Sequence, residues 1–141
     1  MLEEIRAAKK SGDFSPIVMA IPYFRFLGLT ALPDEHGVIC RLPADPRLIG
    51  NPFLPAVQGG VIGALLEAAA LTQLVLQSET AALPKIINLA VDYLRSARPV
   101  ETMAQGIVTR HGRRIANVRV EAWQDDRLRP VAAAHVHLLL S

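Results

Sequence analysis

Between Arg47 and Glu79 the chain carries one charged side chain, Glu67. It stands inside the run Val61 to Leu76, which is otherwise almost wholly apolar. Taking a carboxylate out of water is costly and raises its pKa unless a partner compensates. Glu67 is therefore either a general base or nucleophile held in a low-dielectric cleft, or a carboxylate that meets solvent or an arginine at a seam. Nine residues upstream, Gln58-Gly59-Gly60 opens the same run. The first N–H groups of a helix point outward unpaired, with the positive end of the helix dipole behind them. Glycine lets a substrate carbonyl come close, and one such oxyanion donor contributes about 2.7 to 4 kcal/mol in a transition state. A glycine pair also serves simply to start a helix packed tightly on a sheet.

The densest basic segment is Arg110, Arg113 and Arg114, with Arg119 nearby. Arginine binds phosphate through forked hydrogen bonds, although a basic turn is also an ordinary solvated surface. His135 and His137 share one strand face in a spacing that can chelate a metal, but no third ligand accompanies them. Ordinary packing is the reading for both, as it is for His36 and His111 in turns. Cys40 sits in an apolar stretch and reads as a small core residue.

These residues need elements to hold them. Leu2, Ile5 and Ala8 at helical spacing, then Pro16 to Ala20 before Pro22, predict two short helices forming an N-terminal cap. From Leu27 to Leu42 two apolar runs flank Pro33 to Gly37, a turn-rich interval that predicts an antiparallel hairpin. Pro43 to Gly60 holds four prolines and three glycines without periodicity, the mark of a long irregular connection. Val61 to about Glu79 is apolar nearly all round, as in a helix enclosed by other structure. After Pro84 the period changes to two, with Ile87, Leu89, Val91 and Tyr93 on one face, and four successive strands predict an antiparallel meander. The sum is one α+β domain over residues 1–141, a helix lying across a single sheet.

Composition narrows the function. At 51% hydrophobic and 20% charged the chain is not disordered, and a net charge of +2 is too small to argue for nucleic-acid binding. An aromatic share of 5% leaves few rings for base stacking. A single cysteine excludes an internal disulfide framework and fits a reducing compartment. The charged N-terminus lacks a secretory pattern, and Glu67 and Gln73 interrupt the longest apolar run, so the expectation is a cytoplasmic protein that does not cross a membrane.

QGGVIGALLEAAA after NPFLPA resembles the His-Gly-Gly motif of hotdog-fold acyl-CoA thioesterases of the phenylacetate-degradation type, in which an acid follows nine positions after the motif's first residue. Gln58 and Glu67 keep that interval. IPYFRFLGL, AVDYLRSARP and TRHGRRIANVRVEAW extend the resemblance over most of the chain. It implies a hotdog fold, a central helix wrapped by a curved antiparallel sheet. It further implies that Glu67 acts on the thioester carbonyl, that Gly60 or Gly59 supplies the oxyanion N–H, and that Asn51 helps position water or substrate. Arg110, Arg113 and Arg114 would take coenzyme A phosphates, coenzyme A entering as part of the substrate with no separate cofactor and no metal. A homodimer, or a tetramer of two dimers, would build each active site at a subunit interface and leave the monomer inactive.

Two departures stand out. The motif's histidine is Gln58, whose amide still donates to a carbonyl oxygen. Lys85, Ile86 and Ile87 lie where a hydroxyl residue often begins the first long strand, so water positioning falls to Asn51, Asn88 or Thr72. Hydroxyacyl-thioester dehydratases offer another reading, but they need a histidine where this chain has Phe53. A non-catalytic acyl-CoA binding module, or a structural partner of a larger assembly, are the alternatives outside enzymes. The acyl pocket would be shaped by the N-terminal cap, including Phe14, Ile17, Ile21 and Phe24, and by the helix of a partner subunit, and its aliphatic walls suit a medium-chain or small aryl acyl group.

Overall fold

The computed structural model describes residues 1–79 and 82–140. Three short helices come first: α1 (Leu2–Ser11), α2 (Ser15–Ala20) and α3 (Pro22–Leu27). The cap thus has one helix more than its sequence predicts. Pro22, taken as a stop, occupies the first turn of α3, where its missing N–H costs nothing. Gly28, at φ 74°, ends α3 in the left-handed region that glycine enters freely.

Strands β1 (Thr30–Asp34) and β2 (Gly37–Leu42) form the expected hairpin. Its turn is only Glu35-His36, because Pro33 and Asp34 pair within the ladder. Proline is tolerated there since β1 is an edge strand. The stretch expected to be irregular is partly ordered: a 3-10 turn (Pro46–Leu48) leads into β3 (Ile49–Asn51) and β4 (Leu54–Val57), a small two-stranded sheet. Strands of three and four residues are too short to show a period, which is why the sequence hides them.

The long helix α4 (Gly59–Gln77) follows, then β5 (Lys85–Tyr93), β6 (Thr102–His111), β7 (Ile115–Trp123) and β8 (Ala132–Leu139). Among the described residues six strands form one antiparallel sheet in the order β1-β2-β6-β7-β8-β5. The last four are therefore not a simple meander. β6, β7 and β8 follow one another, but β2 occupies the free edge of β6, and β5 pairs with β8 at the opposite edge. Nor do Ile87, Leu89, Val91 and Tyr93 share one buried face. A bulge between Ile86 and Asn88 shifts the register, so Ile86, Leu89 and Val91 pack on the core while Ile87 is left exposed.

The sheet curves around α4. By length and hydropathy this helix could cross a bilayer, but it is mostly buried inside the fold. Leu65, Leu66, Ala68, Ala69 and Leu74 are sealed, and Val118, Val120, Val136, Leu138 and Cys40 belong to the same core. Small residues permit close approach: a Cβ at Gly106 of β6 would lie 2.9 Å from Val118 Cγ1 and 3.3 Å from the Ala69 carbonyl oxygen. This is the central helix and curved antiparallel sheet of the hotdog fold.

Candidate active site

The loop before α4 and the far end of β5 converge on the helix N-terminus. Val57 N–H donates to the Ala97 carbonyl at 2.9 Å, tying β4 to the segment after β5. Gln58 caps the helix, its side-chain oxygen accepting from Val61 N–H at 3.1 Å. That bond uses the amide oxygen and leaves the amide NH2 available as a donor. The N–H groups of Gly59 and Gly60 have no hydrogen-bond partner among the described residues. A Cβ at Gly60 would lie 2.8 Å from Gln58 Oε1, so the Gln58 amide sits directly beside it.

A cavity of about 410 Å³ opens at this helix end, with Val57, Gly59, Ile62, Tyr93, Arg95 and Ser96 among its walls. Tyr93 donates its hydroxyl to the Gly59 carbonyl at 2.7 Å. Arg95 adds positive charge and is steadied by a hydrogen bond from Nε to the Pro130 carbonyl at 3.0 Å. Sequence reasoning gave these three side chains, Tyr93, Arg95 and Ser96, no role. Their signal was a phenol, a cation and a hydroxyl placed just where the alternation of β5 ends.

Glu67 is half-buried on α4, with no hydrogen bond or ion pair among the described residues. Burial holds its carboxyl above the usual glutamate value. Gly60, Gly63 and Glu67 lie along one helix face by the spacing of three and seven residues. Gly63 opens onto empty space, with nothing within 4 Å of where a Cβ would stand. Seven residues separate Gly60 from Glu67, about 10.5 Å along the axis. The Gly60 N–H points out of the N-terminus, and the tilt of the glutamate toward that end shortens the separation without closing it. Within one chain the Glu67 carboxylate and the Gly60 N–H are thus offset by about two turns of α4.

The remaining expected residues lie elsewhere. Asn51 accepts from Phe53 N–H at 3.0 Å in the turn between β3 and β4, and among the described residues no hydrogen bond joins it to Glu67. Phe53, where a dehydratase needs its histidine, is 89% exposed on the same turn. Thr72 is fully buried, donating to the Ala68 carbonyl at 2.8 Å and lying 3.5 Å from Cys40 Sγ. Five residues past Glu67, it faces about 140° away around the helix. Cys40 is sealed with it, and burial pushes its thiol up to about 12. Phe14 and Ile17 are fully buried and Phe24 nearly so, in the core and away from the cavity at the helix end.

Arg110, Arg113 and Arg114 do come together, with Asn117 and His137, around an open cavity of about 920 Å³ at the opposite end of the sheet. Strand register explains this grouping: Asn88 stands opposite His137, His137 opposite Asn117, and Asn117 opposite Arg110. Asn88 thus joins the basic region and not Glu67. No group of three or more His, Cys, Asp or Glu among the described residues is placed to hold a metal.

A family model for the thioesterase superfamily matches residues 55–131, which take in most of β4, all of α4 and strands β5 to β7, ending just before β8. The chain belongs to the thioesterase superfamily. It is accordingly a thioester hydrolase. As a thioesterase superfamily member it is similar to a protein of known structure from Chromobacterium violaceum, 37% identical over 99% of this chain and 97% of that one, with a TM-score of 0.78. A phenylacetic acid degradation-related protein from Ralstonia eutropha JMP134, named as a candidate thioesterase, is 25% identical over 89% of this chain and 98% of its own, with a TM-score of 0.74. Zebrafish thioesterase superfamily member 2 shares the fold at a TM-score of 0.75 and 18% identity, covering 90% of this chain and 95% of its own. No protein of curated function matches the chain.

Proposed function

We propose that this thioesterase hydrolyses acyl-CoA esters with a medium-chain or aryl acyl group, releasing the free acid and coenzyme A. The observation that carries this reading is the pairing, on one helix, of two N–H groups at Gly59 and Gly60 with a partly desolvated carboxylate at Glu67, none of which has a partner among the described residues. The thioester oxygen docks on the Gly60 or Gly59 N–H, assisted by the free amide NH2 of Gln58. Glu67 accepts a proton from water as the water oxygen bonds to the carbonyl carbon, and the carbonyl electron pair moves onto the oxygen held at the glycines. Collapse of the tetrahedral species breaks the C–S bond, and the proton on Glu67 passes to the departing sulfur. In the covalent route the Glu67 carboxylate attacks the carbonyl carbon directly, the C–S bond breaks and the coenzyme A thiolate leaves and takes a proton from solvent, and water then cleaves the acyl–Glu67 anhydride to the free acid and the restored carboxylate.

Two chains complete the site in this reading. A dimer with antiparallel helices back to back sets one chain's Glu67 near the other's Gly60, which removes the separation found within a single chain. The open seam at Gly63 leaves room for the reacting carbonyl between them. Arg110, Arg113 and Arg114 receive the coenzyme A phosphates. The protein acts in the cytoplasm, as a dimer or a pair of dimers.

Thiol release from short, medium, long and aryl acyl-CoA esters, compared between wild type and Glu67→Gln of equal oligomeric state, tests the proposal. Activity in wild type that falls by at least about a hundredfold in the variant supports it. Equal rates remove Glu67 from the mechanism, and silence of the wild type across the panel overturns coenzyme A esters as the substrate. Solvent oxygen-18 entering the Glu67 carboxylate in a single turnover identifies the covalent route.

A further inference from the structure

Tyr93 is the last residue of β5, and its hydroxyl donates to the Gly59 carbonyl at 2.7 Å. That carbonyl and the Gly60 N–H are the two ends of one peptide unit. A trans peptide is planar, and its C=O and N–H point in opposite directions. Anchoring the oxygen therefore sets the direction in which the Gly60 N–H is presented. A helical carbonyl also serves the backbone ladder, and its second lone pair is what the phenol occupies. Each bond accepted at the oxygen draws electron density from the amide and polarises its N–H further.

The contact is built closely. A Cβ added to Gly59 would stand 3.3 Å from Tyr93 Cζ and Oη, so only glycine leaves the ring and the peptide unit their present spacing without some displacement. The ring also forms a wall of the cavity onto which the helix end opens. A phenylalanine would fill the same wall, so packing alone does not call for the hydroxyl.

We propose that Tyr93 is a positioning residue for thioester hydrolysis, aiming and polarising the Gly60 N–H through the Gly59 carbonyl. It touches neither the thioester nor the attacking water. The inference rests on the reading of Gly60 as an oxyanion donor. The tetrahedral oxyanion carries more charge than the ground-state carbonyl, so an N–H that is better aimed lowers the barrier and changes substrate binding little. Water entering the open cavity can replace the phenol in part, which keeps the effect smaller than deletion of a donor.

The test compares wild type, Tyr93→Phe, Tyr93→Leu and Glu67→Gln on acyl-CoA esters, together with carbonyl carbon and amide nitrogen NMR shifts of the full chain. In Tyr93→Phe the Gly59 carbonyl carbon and the Gly60 nitrogen move upfield, kcat falls about tenfold and KM stays within about twofold. Tyr93→Leu, which removes the wall as well, raises KM in addition. An unchanged kcat in Tyr93→Phe, with Glu67→Gln inactive, overturns the role of Tyr93 and leaves the proposed mechanism standing. A loss confined to KM, or unmoved Gly59 and Gly60 shifts, reduces Tyr93 to a wall. If Glu67→Gln matches wild type, or wild type is silent, the underlying mechanism fails and the inference falls with it.

Discussion

If each site joins Glu67 of one chain to Gly60 of another, two inactive variants must rescue each other. The first is Glu67→Gln, which keeps the shape of the side chain and removes the base. The second is Gly60→Pro, which deletes the N–H. Proline suits the backbone of a first helical turn, as Pro16 does second in α2, and its Cβ, 2.8 Å from Gln58 Oε1, displaces the end of that flexible side chain, so the variant loses the N–H and shifts the Gln58 amide together. Loss of one oxyanion donor lowers kcat by about 10² to 10³, and loss of the base by at least about 10², so each variant alone retains about 1% or less. Random subunit exchange makes about half of all dimers hybrid, and in each hybrid one of the two sites receives an intact Glu67 and an intact Gly60. Activity then recovers to about a quarter of wild type, at least about twentyfold above either parent. Co-expression with two affinity tags, tandem purification of the hybrid and thiol-release kinetics measure this directly. Purified hybrid that stays as inactive as its parents refutes the two-chain site, because a site confined to one chain leaves both centres of the hybrid defective.

Burial raises the Glu67 carboxyl, so kcat/KM in wild type falls as pH drops through a value above the ordinary glutamate 4.5, and a pH-rate profile locates that limb. The same shift weakens the fold as pH rises through it, since the folded form holds the proton more tightly than the unfolded form; Glu67→Gln therefore raises the melting temperature slightly at pH 7 and leaves it unchanged at a pH low enough to protonate the carboxyl in both forms. Charge reversal at Arg113 and Arg114 raises KM for acyl-CoA esters by about tenfold or more, while hydrolysis of a truncated thioester without phosphates stays unchanged in a parallel assay. Gly106→Ala drives a Cβ to within 2.9 Å of Val118 and 3.3 Å of the Ala69 carbonyl, so chemical denaturation reads a loss of about 1 to 3 kcal/mol.

The boundaries of α4 were legible to within two residues, and the β1 to β2 hairpin followed from its turn. Both depend on local patterns: an apolar run that is too long for a strand, and a polar interval between two apolar ones. The strand order was not legible. Period-two alternation shows that a segment is a strand, but not which neighbour takes its edge, and β2 claims the edge of β6 that a meander would assign to β5.

The site divides in the same way. Glu67 stood out because it is a lone charge in an apolar run, and the glycines because of their place before that run; both are features of one continuous stretch of chain. The assignments that needed distant parts of the chain fared differently. Thr72 shares the helix with Glu67, yet the rotation between them turns it into the core, and Asn88 lies on the basic row because of strand register. Tyr93 gained its place beside Gly59 only when β5 crossed the end of α4, thirty-four residues along the chain. Sequence alone determined which chemical groups were present and which local elements carried them. Tertiary structure decided which groups meet, because encounters between distant segments depend on register, helix rotation and sheet order, none of which a single stretch of residues encodes.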